Sequence, residues 1–207
     1  MSVPPPELFT RAVAAADAEG RLPVPDQVQW ETFPFESGSL VVKPLEPPVL
    51  PEPPRGGEGG APCLRCERPE EGVAWSDERW VLAGLGDPGG LPLLAVLMPR
   101  DHVDLEALDD ELAADLGLLM VQVSRAVQAL RGIGRVHVCK WGDGLAHLHV
   151  FFMARPAGML QLRGSNLALW EEMLPRVPQA ELDADLLAVA ELLAAARGGR
   201  VHEPPAH

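Results

Sequence analysis

One stretch of the sequence constrains the fold more than any other. Leu112, Leu116, Leu119, Met120, Val123, Val127 and Leu130 recur at helical spacing and form a single apolar stripe. Asp109 and Asp110 favour a helix start, and Gly132 and Gly134 a stop. A long helix with one apolar face must bury that face against something. The cover lies on both sides in sequence. Residues 79–85 (RWVLAGL) and 91–98 (LPLLAVLM) read as strands separated by the turn-forming run Gly86-Asp87-Pro88-Gly89-Gly90. Residues 135–141 (RVHVCKW) and 146–154 (AHLHVFFMA) read as two more, joined by Gly142-Asp143-Gly144. The order strand–strand–helix–strand–strand predicts an α+β fold, an antiparallel sheet with a long helix packed on it.

The flanks have a different character. Residues 7–20 (ELFTRAVAAADAEG) predict a short helix ending at a glycine, and residues 27–43 two short strands around Gly38. Residues 44–61 are proline-rich and then glycine-rich, which predicts an extended linker or wrapping arm rather than a regular element. Residues 166–174 and 181–196 predict two helices, followed by a frayed tail, GGRVHEPPAH. The expected organisation is an N-terminal extension over 1–61, a central domain over 62–156 and a C-terminal helical extension over 157–207.

Charge narrows the function. The chain of 207 residues carries 30 acidic and 17 basic side chains, a formal balance of −13. Such a surface repels nucleic-acid polymers and anionic membranes, so a phosphate ligand needs a local site. No window approaches the ~20 apolar residues of a membrane helix. The start, MSVPPPELF, lacks the basic and apolar regions of a secretory signal, and the expected compartment is the cytoplasm. Three cysteines, Cys63, Cys66 and Cys139, are too few for a disulfide framework.

Cys63-Leu64-Arg65-Cys66 is a C-x-x-C pair, a spacing that serves metal sites and redox sites and also arises by accident. The chain around it lacks the parallel strand–helix–strand pattern of a redox fold. A zinc site would need two further ligands, and His102, His137, His147, His149, His202 and His207 are the candidates. His147-Leu148-His149 would place two imidazoles on one face of a strand, either as a functional pair or as polar residues facing solvent. Lys140 is one of two lysines in the chain and leads into the glycine turn. With Gly142 and Gly144 it is a candidate phosphate contact; the alternatives are a solvent-facing lysine and a plain hairpin turn. His137, Cys139, Trp75 and Trp80 read as packing residues, the two tryptophans with a base pocket as the alternative.

Together these residues carry a resemblance. Residues 93–104 (LLAVLMPRDHVD), the acidic helix start, the long helix, the strand, the glycine turn and AHLHVFF resemble the histidine-triad superfamily of nucleotide hydrolases and transferases. The resemblance spans about residues 63–156. It implies that His149, at the middle motif position, attacks the α-phosphorus of a nucleotide and forms a nucleotidyl-histidine. In the zinc-bearing branches, which include galactose-1-phosphate uridylyltransferase, it implies Cys63, Cys66, His102 and His147 as ligands of a structural Zn²⁺. Implied substrates are small: dinucleoside polyphosphates, phosphoramidates or nucleotidylated small molecules. It implies a two-fold homodimer as one assembly, with a monomer whose long arms cover that surface as the other. The departure is Phe151, where the family has a hydrogen-bonding histidine or glutamine. Either another donor (Lys140, Arg155 or Arg163) replaces it, or the substrate differs, or the protein is a zinc-containing nucleotide-binding or structural module without turnover.

Overall fold

The computed structural model describes residues 13–14, 16–21, 24, 26–29, 33, 35, 47–85 and 89–203. The chain divides into two compact units, Met1–Pro53 and Pro54–His207. In the first, Asp26–Gln29 form a 3-10 turn where a strand is expected from residue 27. The remainder of that strand pair, and most of the helix expected over 7–20, lies outside the described residues.

The second unit is built on a six-stranded sheet: β1 (Val73–Ser76), β2 (Trp80–Gly84), β3 (Leu94–Pro99), β4 (Ile133–Cys139), β5 (Val150–Pro156) and β6 (Arg200–Val201), in the order β4-β5-β3-β2-β1-β6. Every neighbouring pair is antiparallel, as expected for the α+β fold. Among the described residues four α-helices accompany it: α1 (Leu64–Glu67), α2 (Asp110–Gln128), α3 (Leu167–Met173) and α4 (Gln179–Arg197). Asp109 caps α2 by accepting a hydrogen bond from the Leu112 amide at 2.8 Å.

The apolar stripe of α2 is buried as its spacing requires. Leu119, Val123 and Val127 are fully covered and pack with Leu82, Leu97 and Phe152 of the sheet. Val189, Ala190 and Leu193 of α4 join the same core, and so do Trp75 and Trp80, which are packing residues and line no base pocket. Each such large side chain contributes about 1.5–3 kcal/mol. Period-two alternation sends Val81, Ala83, Val96 and Met98 to the opposite face of the sheet, where Phe151 packs against them.

Three local readings are corrected. Strand β1 was not expected; its four residues are all buried, so it carries no alternation to reveal it. Of the tail expected to fray, Arg200 and Val201 instead complete the sheet, while residues 204–207 lie outside the described residues. Gly198 and Gly199, at φ 84° and 87°, turn the chain back at the end of α4. Trp75 then pairs with Val201, and the His202 amide donates to the Ala74 carbonyl at 2.8 Å. A side chain at residue 199 would meet the Ser76 carbonyl at 2.7 Å, so only glycine allows this approach. The last strand expected over 146–154 begins at Val150, which leaves His147 and His149 in the segment entering β5. No described helix is long and apolar enough to cross a membrane.

Arg197, in the last turn of α4, ties this face together. Its guanidinium donates to Asp77 at 2.7 and 2.9 Å and to both oxygens of Asp115 at 2.8 Å. The Trp80 indole donates to Asp115 as well, at 2.9 Å. Hydrogen bonding to Arg197 is the main cause that holds the Asp115 carboxyl below its ordinary pKa. A carboxylate with a depressed folded pKa stabilises the fold above its unfolded pKa, and that contribution fades as pH falls through the folded value. Arg197→Met is therefore expected to cost about 2 kcal/mol at pH 7. Urea unfolding followed across pH should show the gap to wild type closing once Asp115 is protonated.

Candidate metal centre and histidine site

Cys63 is the residue before the one-turn helix α1, and Cys66 lies within that turn. A single helical turn thus aims both thiols the same way. The loop leaving β3 supplies His102, and the segment entering β5 supplies His147. The four ligand atoms all lie within 4.8 Å of one another. The Cys63 and Cys66 sulfurs are each 3.6 Å from His147 Nδ1, and Cys66 Sγ is 3.4 Å from His102 Nδ1. A tetrahedral zinc bound at usual lengths gives sulfur–nitrogen edges of about 3.6 Å. The residues fit that ion in donor type, number and spacing. Cys63 and His147 are buried, while Cys66 and His102 are exposed.

His147 is the anchor of the set. Its Nε2–H donates to the Pro99 carbonyl at the end of β3, at 2.9 Å. This selects the tautomer that leaves Nδ1 bare toward the sulfurs, the usual outer support of a metal-bound imidazole. Burial is the main cause that lowers the His147 pKa below its ordinary value, so the ring stays neutral and able to ligate. Burial and the neighbouring Cys63 thiol push the Cys66 thiol up, a penalty that a cation between the sulfurs relieves.

His149 sits two residues further on, half-buried. Its Nδ1–H donates to the His147 carbonyl at 2.7 Å, which leaves Nε2 with a free lone pair. The Phe151 ring stands edge-on to the His149 ring, with centroids 5.4 Å apart, and Trp141 lies 5.4 Å beyond Phe151. Trp141 is exposed.

The other expected contacts are arranged as follows. Lys140 Nζ lies 3.4 Å from Asp104. The Gly142 carbonyl accepts from Arg55 at 2.7 Å, and the Gly144 carbonyl accepts from the Gly56 amide at 3.0 Å. Arg155 is buried and donates to the Pro156 and Met159 carbonyls. Arg163 is exposed and donates to the Leu160 carbonyl at 2.7 Å. His202 is hydrogen-bonded to Ser76 at 2.8 Å, and His137 lies on β4, so neither joins the four-residue set. His207 lies outside the described residues. Sequence reasoning missed Arg55 and Asp104. No local pattern marks them, because 49 positions separate the two.

No family model matches the chain, and no curated protein matches it. Among solved structures the chain is similar to a Zn-bound histidine triad family protein from Mycobacterium smegmatis, at 18% identity over 65% of this chain and 94% of that one, with a TM-score of 0.47. It is similar to a histidine triad protein from Marinobacter aquaeolei at 22% identity, over 59% of this chain and 90% of that one, TM-score 0.47. A hypothetical histidine triad nucleotide-binding protein from Sulfolobus tokodaii is 16% identical, over 66% of this chain and 97% of that one, TM-score 0.47.

A closed Cys₂His₂ donor set predicts that metal supports the fold. Purified protein is expected to carry one zinc per chain. Cys63→Ser, or prolonged chelation, should lower the melting temperature by several degrees, because metal binding here is folding free energy. Equal melting of metal-loaded and metal-stripped protein would contradict this.

Proposed function

We propose that the protein is a zinc-stapled, histidine-triad-like enzyme that cleaves or transfers a nucleotidyl group on a small nucleotide, with His149 as the nucleophile. The observation that carries this reading is the hydrogen bond from His149 Nδ1–H to the His147 carbonyl. It assigns the proton of the neutral ring to Nδ1 and leaves the Nε2 lone pair of this half-buried residue available, as a nucleophilic imidazole requires.

In the proposed reaction the Nε2 lone pair attacks the α-phosphorus. A P–N bond forms, the bond to the leaving oxygen or nitrogen breaks, and that group departs with its electron pair. Attack places positive charge on the ring, and the His147 carbonyl stabilises it through Nδ1–H. Water or a second phosphate then attacks the phosphorus, and the imidazole leaves with its electron pair restored. The zinc, once bound, supplies a closed Cys₂His₂ staple rather than a reacting centre. Cys63 fixes the entry of the chain, His102 the loop after β3, and His147 the backbone that holds His149. The −13 balance favours a small nucleotide over a nucleic-acid polymer. The proposed compartment is the cytoplasm, and the proposed assembly is a two-fold homodimer or a monomer whose long arms cover that surface.

Phe151 favours a second reading, nucleotide binding without turnover. The ring beside His149 donates no hydrogen bond to a phosphate or a leaving group. Loss of one such donor is worth about 2.7–4 kcal/mol of transition-state stabilisation.

A panel of dinucleoside polyphosphates, nucleoside phosphoramidates and sugar nucleotides, assayed with wild type and His149→Ala, separates the two. The enzyme reading expects turnover that falls by at least about 10³-fold in the variant, with a nucleotidyl-histidine trapped in wild type. Equal rates for the two proteins would exclude His149 as nucleophile. Binding without turnover in wild type, with activity gained in Phe151→His, would favour the second reading.

A further inference from the structure

We propose that the segment Arg55–Gly57 is a lock that holds His102 on the metal and sets how slowly the ion leaves. The proposal rests on the zinc reading above and goes beyond it, because none of the three residues is a ligand.

Gly57 carries the first observation. It has φ of 88°, and a Cβ placed on it would lie 2.5 Å from His102 Cε1, 3.1 Å from His102 Nε2 and 3.3 Å from Cys63 Cβ. The backbone of Gly57 therefore rests directly on one ligand ring and against a second ligand. His102 is one of the two exposed ligands, and an exposed ligand is the natural first one to be lost. A ring on a free loop could swing away; this one is backed by the chain.

The second observation is how firmly the segment is held. The Gly56 amide donates to the Gly144 carbonyl at 3.0 Å, and the Ala146 amide donates to the Gly56 carbonyl at 2.9 Å. These bonds form a bridge to Leu145, two residues before His147. Arg55 then fastens three strands of chain at once. Its Nη1 donates to Asp104 and to the Gly142 carbonyl, both at 2.7 Å, and Glu58 accepts from its backbone amide, Nε and Nη2. Asp104 lies two residues after His102 and also meets Lys140. The guanidinium thus joins the His102 loop to the turn that precedes His147. A planar fork with several donors suits this task, and an ammonium does not. Arg55 and Gly57 are positioning residues: they act on the metal through His102.

The test uses the full-length, zinc-loaded chain and reads zinc release into a coloured chelator by stopped flow, a readout independent of activity. Gly57→Ala and Arg55→Gln are each expected to release zinc at least about tenfold faster than wild type, the range seen when outer support of a ligand is removed. Arg55→Lys should recover only part of the loss. Gly60→Ala is the control: Gly60 has a nearly equal φ of 87°, and nothing lies within 4 Å of an added Cβ. It imposes the same backbone strain without touching His102, and should release zinc at the wild-type rate. Raising the salt concentration should speed release from wild type more than from Arg55→Gln. Gly57→Ala and Arg55→Gln releasing zinc no faster than Gly60→Ala would overturn the lock while leaving the zinc site intact. A wild-type protein that takes up no zinc would overturn the zinc reading itself.

Discussion

Everything at the site depends on the way one residue, His147, is held. Its Nε2–H is given to the Pro99 carbonyl, its Nδ1 faces two thiols, and its own carbonyl receives the Nδ1–H of His149. One buried imidazole therefore couples the end of β3, the metal set and the tautomer of the proposed nucleophile. Its Cα is also fixed by neighbours on both sides: the Ala146 amide is tied to Gly56, and the Leu148 amide donates to Val103 at 2.8 Å. A free polar side chain at this depth would be costly, so the bond to Pro99 is a requirement of burial as much as of function.

The distribution of cations around the site follows the same logic. Within an acidic chain, Arg55 and Lys140 converge on Asp104, and Glu58 completes the group. Two basic side chains thus meet two carboxylates, which fastens together the segments that carry them. Around His149 itself stand the Phe151 ring and, beyond it, the exposed Trp141. Phe151 belongs to the same picture: it extends the apolar sheet face up to the His149 ring.

Much of this was legible in the sequence, for physical reasons that differ from element to element. The stripe of α2 announced a buried face, and Asp109 its start, because helical periodicity and capping are local properties. The C-x-x-C pair was legible as a candidate metal site, and the full set of Cys63, Cys66, His102 and His147 only through the resemblance, since C-x-x-C alone also serves redox sites and four other histidines competed. What escaped depends on long-range contact. Strand β1 is buried on both faces and shows no alternation, and β6 is two residues long and exists only because Gly198 and Gly199 reverse the chain. The histidine pair was expected on a strand and lies just before one; its register comes from Gly56 and Val103, which no local pattern encodes. The roles of Arg55 and Asp104 are likewise invisible in sequence, because 49 positions separate them and only the fold brings them to 2.7 Å.

The account rests most heavily on the linked states of two imidazoles, and nitrogen-15 NMR of the histidine rings in the zinc-loaded protein reads both at once. The expected spectrum has His147 protonated at Nε2 with Nδ1 shifted by metal, and His149 protonated at Nδ1 with Nε2 bare. A His149 ring carrying its proton on Nε2, or a His147 Nδ1 that does not respond to zinc, would contradict the account.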